Sequence, residues 1–279
     1  MQRSITIPFG RFTFSLSCRD KRTETFLKNH YTISFFTVIP DLTITIDHLP
    51  SDETSSITSG TSYRYTILRN QFNFGPGLIK GSWIPEEKTY RLSVAETLFR
   101  PEEIWLFDRF LCRIFYTVSL EERVEGEEEL IIHGTGVLKD GKGYVFFGPP
   151  ESGKSTVAQL SHRFQVLHDD MILLTLTKDG VFLEGVPFNP KVVARRNGRG
   201  ELSKIFSLHK GEQVRIEKGS PEEFIRKVLP EIFLPQSLLS EDRKGAFQYI
   251  MNFAAKLGGR IPYYRLFFKQ DESFWRLIV

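Results

Sequence analysis

The chain has 279 residues, 41 % of them hydrophobic and 25 % charged, with a net charge of +3. That length and apolar content supply a core for one large domain or two ordinary ones, and so small a net charge argues against nucleic-acid or membrane binding. Cys18 and Cys112 lie far apart, which excludes a disulfide framework or a cysteine metal site.

Pro8, Gly10 and Arg11 interrupt any signal-peptide core near the N-terminus. No apolar run approaches the ~20 residues needed to span a bilayer. A soluble, cytoplasmic protein is the expectation.

Residues 1 to about 100 read as strands, at Ser4–Ile7, Arg11–Ser17, Thr32–Val38, Leu42–Ile46 and Tyr63–Leu68, which are rich in Ile, Thr, Phe and Tyr with partial alternation. The phenylalanines at 9, 12, 14, 26, 35, 36, 72 and 74 read as core and sheet-face residues, or as the lining of a peptide groove. His30 and His48 are lone histidines and read as structural. Arg100-Pro101-Glu102-Glu103 opens a helix carrying Ile104, Phe107, Leu111, Ile114 and Phe115 at helical spacing. The charged stretch 121–129 reads as a solvated connection. The expected division is therefore a β-rich domain over 1–125, ending in a linking helix, and a second domain over 126–279.

In the second half, the apolar runs Leu130–Leu138 and Tyr144–Phe147 flank Lys139-Asp140-Gly141-Lys142-Gly143, which predicts an antiparallel hairpin. The second strand runs into Gly148-Pro149-Pro150-Glu151-Ser152-Gly153-Lys154-Ser155-Thr156, which fits the phosphate-binding pattern G-x-x-x-x-G-K-[ST]. In such a loop the backbone N–H groups cradle phosphates, the lysine reaches the β- and γ-phosphates, and the hydroxyl after it meets Mg²⁺. Gly148, Glu151, Ser152, Gly153, Lys154, Ser155 and Thr156 are accordingly the candidate nucleotide-binding residues. The two prolines remove backbone donors. Glu151 adds an anion near bound phosphate, at a cost on the order of 1–4 kcal/mol unless it turns outward.

A short helix from Lys154 and a strand Phe164–His168 lead to Asp169-Asp170, fifteen positions after the lysine. A strand–helix–strand unit brings that end beside the loop. Two carboxylates there can divide the work between metal and acceptor proton, and the plainer alternative is an acidic turn. Met171–Thr177 and Val181–Glu184 predict a second hairpin. The basic, glycine-rich stretch Arg195-Arg196-Asn197-Gly198-Arg199-Gly200 reads either as a loop that closes over a γ-phosphate or as a solvated basic loop. Strands over 205–208 and 213–216 follow. Ser220-Pro221-Glu222-Glu223 caps a helix, Ser240 caps a longer one that Gly258 ends, and Tyr263–Lys269 and Phe274–Ile278 close the chain as strands.

The stretch His133–Asp170 resembles the catalytic domain of bacterial HPr kinase/phosphorylase, and more closely the shorter HPr kinase-related proteins, through His133-Gly134, the glycine loop and Asp169-Asp170. Gly185–Phe188, Leu202–Leu208 and Tyr264–Phe268 look similar too. The resemblance implies a mixed-sheet α/β P-loop domain of the HPr kinase/phosphoenolpyruvate carboxykinase type, with the β-rich domain in front. It implies Mg²⁺ and ATP, with a serine of a protein or peptide, or free serine, as acceptor, and it allows a homo-oligomer. By position, Lys154 and Ser155 bind phosphate and metal, Asp169 looks like the general base, Asp170 the metal-side carboxylate and His133 the histidine near the reacting phosphate. Arg195 and Arg196 are candidates to steady the moving phosphoryl group. The expected function is an ATP-dependent phosphotransferase. Its rivals are an ATP-binding regulator without catalysis and a small-molecule kinase or nucleoside-triphosphate hydrolase of another P-loop class.

Overall fold

The computed structural model describes residues 3–31, 39–49, 65–68, 71–74, 78–121, 125–188, 190, 192, 198–233 and 243–278. The chain forms two compact units, Met1–Val118 and Ser119–Val279. It is an α/β protein with a mixed sheet in each. Among the described residues no helix is long and apolar enough to cross a membrane.

The first unit holds β1 (Arg3–Phe9), β2 (Phe12–Cys18), α1 (Lys21–His30), β3 (Leu42–His48), β4 (Tyr65–Leu68), β5 (Gln71–Phe74), β6 (Ile79–Ile84) and β7 (Thr89–Val94). Helix α2 (Ile104–Glu121) follows, and the strands order as β1-β2-β3-β7-β6-β5-β4. Alternation works as expected in β3, where Leu42, Ile44 and Ile46 are buried. Phe9, Phe12 and Phe14 are core residues, and Phe9 stacks on Phe115 of α2 with centroids 4.2 Å apart. The strand expected over 32–38 lies outside the described residues.

The expectation of strands throughout this half fails at α1. Asp20 caps that helix by accepting the Thr23 N–H at 2.6 Å. The cap outweighs an apolar stripe too thin to announce itself, and Phe26 sits on this helix rather than on a sheet. His30 and Tyr31 both reach the buried Asp108 of α2, at 3.0 and 2.7 Å. Arg100 O accepts the N–H groups of Glu103 and Ile104, at 3.1 and 3.0 Å, so this segment leads into α2 as expected, with the regular helix starting at Ile104.

The second unit begins with β8 (Glu128–Lys139), two residues earlier than its apolar run suggests, and β9 (Lys142–Phe147). Asp140 and Gly141 both take positive φ, 52° and 76°, which is the backbone a two-residue hairpin turn requires. After α3 (Lys154–Leu160) come β10 (Gln165–His168), β11 (Met171–Leu176), β12 (Val181–Gly185), β13 (Arg199–Lys210) and β14 (Arg215–Lys218). Helix α4 (Pro221–Val228), β15 (Ile232–Phe233), α5 (Arg243–Arg260) and β16 (Tyr263–Phe268) complete it.

Both edges of β8 are filled. On one, β9 pairs as far as Gly134 and β15 continues at Ile132 and Ile131; on the other lie β10 and β11. Thus β9 and β10 run parallel with β8 between them, and α3 crosses from one to the other. Pairings β8–β11, β11–β12, β12–β13, β13–β9 and β9–β8 close a circuit of strands. The ring is tight enough to need a missing side chain: a Cβ on Gly143 would lie 2.0 Å from Leu183 Cδ2.

Register puts Thr135 and Phe146 on one face, where Val157 and Ala158 of α3 pack with Phe146, Phe206, Phe274 and Trp275. Phe147 points to the other face and meets Phe224 of α4. Three expectations are corrected here. Arg199 and Gly200 belong to β13 rather than to a basic loop. Gly258 does not end α5, which runs on to Arg260. Residues 272–276 form a 3-10 turn in place of a strand, because the Asp271 carboxylate caps it through Ser273 N–H at 2.9 Å.

Candidate functional site

The chain leaves β9 at Gly148 and turns over Pro149–Ser152, where Ser152 N–H bonds Pro149 O at 3.1 Å. Glu151 sits in the left-handed region at φ 64°, and its side chain is exposed to solvent. Gly153, at φ 105°, opens α3, and a Cβ there would lie 2.6 Å from the Phe268 ring. Both the backbone turn and the space therefore require glycine. Ser152 is buried, and its Oγ has no hydrogen-bond partner among the described residues.

Lys154 folds back over this loop. Its Nζ donates to Gly148 O and, at 3.2 Å, to Pro149 O, and it lies 4.0 Å from Glu231 Oε2. Ser155 is exposed and Thr156 half-buried on the first turn of α3.

The acidic pair reaches the loop through β8. Thr135 Oγ1 lies within hydrogen-bond distance of Lys154 O, at 2.9 Å, and of Asp169 O, at 3.3 Å. One hydroxyl thus ties the start of α3 to the end of β10. Gly134 N–H also bonds Asp170 O at 3.0 Å. The Asp169 carboxylate is buried, and its Oδ2 accepts the Val192 N–H at 2.7 Å. His168 Nδ1 accepts the N–H groups of Asp170 and Met171, both at 3.1 Å. An Nδ1 that accepts carries no proton. The 3.8 Å approach of Asp169 Oδ1 to it is therefore not an ion pair. Asp170 is half-buried.

His133 is half-buried on the same face of β8 as Thr135, with its ring 5.5 Å from that of Phe233. The fold brings Lys154, Asp169 and Asp170 to the middle of β8, at His133–Thr135. Arg195 and Arg196 lie outside the described residues. Among the described residues there is no group of three or more His, Cys, Asp or Glu side chains arranged to hold a metal.

Thr135 and Glu231 escape a reading of the sequence alone. Thr135 looks like one more strand residue. Glu231 follows Pro230 at the end of α4 and carries no motif; only the pairing of β15 with β8 brings it to the loop. Burial raises the Glu231 carboxyl above its ordinary pKa, while the Lys154 ammonium pulls it back. On the same sheet, Glu184 of β12 is pushed up to about 7 by burial, against the pull of Arg199 and with the help of Glu129.

Comparison of the sequence with protein-family models and with curated proteins finds no match.

Proposed function

We propose that the chain is an ATP-dependent phosphotransferase of the HPr kinase type, with a P-loop at 148–156. It moves the γ-phosphoryl group to the hydroxyl of a protein or peptide serine, or of free serine. The observation that supports this most is the Thr135 hydroxyl, within reach of the carbonyls of Lys154 and Asp169. It links the lysine of the glycine motif to the acidic pair, two features that the sequence only lists in succession.

In the reaction the acceptor oxygen bonds to the γ-phosphorus, and the bond to the bridging oxygen breaks. ADP leaves, and the acceptor proton passes to Asp169. That role requires Val192 N–H to release Oδ2. Lys154 compensates the charge of the phosphates, and Arg195 and Arg196 act on the moving group. Ser155 and Asp170 offer hard oxygen donors of the kind Mg²⁺ takes alongside phosphate oxygens and water, so the residues fit the ion. When bound, it neutralises charge on the β- and γ-phosphates.

Labelled ATP offered with free serine or a library of serine peptides tests this reading. Asp169→Asn should retain ATP binding and lose transfer by at least about 100-fold. Undiminished transfer by that variant would sink the assignment. One observation favours a second reading, an ATP-binding regulator without catalysis: the Asp169 side chain has 0 % exposure. Such a protein keeps the γ-phosphate intact and shows nucleotide-dependent affinity for a partner.

A further inference from the structure

Glu231 brings a carboxylate oxygen to 4.0 Å from the charged end of Lys154, and the way it gets there is particular. Strand β9 occupies one edge of β8 up to the pair Gly134–Phe147, where the chain departs into the glycine loop. Strand β15 takes the same edge at once, pairing Ile232 with Ile132 and Phe233 with Ile131. The residue before Ile232 is thereby held against the loop at its point of departure. Its backbone has no freedom to swing away without breaking that pairing. Glu231 is 8 % exposed, so its carboxylate meets the ammonium in a largely dry place.

Such an arrangement has a direct electrostatic meaning. The Gly148 and Pro149 carbonyls give Lys154 only partial negative charge. Glu231 supplies a full one, and a shielded ammonium is costly without it. A phosphate arriving at the same ammonium meets a carboxylate already about 4 Å from it, and at that range like charges repel strongly wherever water is excluded. Glu151, the acid that the motif itself carries, points into solvent and does not have this effect.

We propose that Glu231 is a resident counter-charge for Lys154 which bound phosphate must displace, and that it sets the affinity of the loop for nucleoside triphosphates. The proposal rests on the phosphate-loop reading above. Glu231 is a specificity-determining residue in this account: it makes the site selective for anions charged highly enough to win the lysine from it. It takes no proton and forms no bond in the transfer itself.

Calorimetric titration of the full chain with MgATP tests this in four forms: wild type, Glu231→Gln, Lys154→Ala and the double variant. Glu231→Gln keeps the shape and removes the charge, and should tighten binding by roughly tenfold. In the Lys154→Ala background the same substitution should not restore wild-type affinity, because the ammonium that Glu231 competes for is gone. Glu231→Asp keeps the charge and should bind like wild type to within about threefold, and a thermal melt of each variant checks that it is folded. If Lys154→Ala abolishes binding while Glu231→Gln leaves it equal or weaker, Glu231 is not a competitor and the proposal is overturned with the phosphate loop intact. Binding by neither wild type nor Glu231→Gln overturns both readings. Binding that appears only in Glu231→Gln supports both.

Discussion

Glu184 shows how a single residue sets a measurable property of the second unit. Its carboxyl has an ordinary pKa of 4.5 and is raised to about 7 by burial between neighbouring strands, with Arg199 offsetting part of the shift. A raised acid pKa means that the folded state holds the proton more tightly than the unfolded state does. The stability from this group is complete below pH 4.5 and is lost as pH rises through 7. Glu184→Gln should therefore be the more stable form at pH 8, by on the order of 1–3 kcal/mol, with the advantage vanishing near pH 4.5. Urea unfolding at both pH values measures it, and an equal difference at the two would contradict the assignment. Little of this was readable beforehand. The glycine motif at 148–156 was legible because its residues are contiguous and each has a local reason to be there. Glu184, Thr135 and Glu231 acquire their meaning only from strands that are distant in the chain.

At the level of elements, legibility follows how local the cause is. The β8–β9 and β11–β12 hairpins were readable from Asp-Gly turns flanked by apolar runs. Helix α4 was readable from Ser220, whose Oγ accepts the Glu223 N–H at 3.2 Å. The end of α5 was not, because a glycine can stop a helix or let another helix approach. Here it does the second. A Cβ on Gly258 would lie 2.9 Å from Phe224 Cδ1 of α4, whereas one on Gly259 meets nothing within 4 Å. Gly259→Ala should then stabilise the protein by about 0.5–1 kcal/mol through helix propensity. Gly258→Ala should lose that gain or more by pushing α4 away. Thermal melts of the two variants decide it, and equal shifts would mean that the α4–α5 contact is not tight.

For the whole molecule, period and turn signals predicted a β-rich front half and the resemblance implied a mixed-sheet α/β domain behind it, and an α/β chain with a mixed sheet in each unit agrees at that coarse level. The closed circuit of strands was out of reach of such a reading, because no residue announces that β13 will meet both β12 and β9. That circuit bears on the candidate site: it pairs β8 along both edges, and β8 carries Thr135 and His133 and anchors β10 and β15. Glycine loop, acidic pair and Glu231 are thus gathered around one strand, as the proposed phosphoryl transfer by positioning and charge compensation would need. In the function proposed above, this assembly binds nucleotide phosphate through Lys154. Calorimetry of MgATP binding to the wild type and to Lys154→Ala is the most direct test. Saturable binding by the wild type, lost or weakened at least about 30-fold in the variant, is the predicted result. Equal binding by both, or none at millimolar nucleotide by either the wild type or Glu231→Gln, would contradict it.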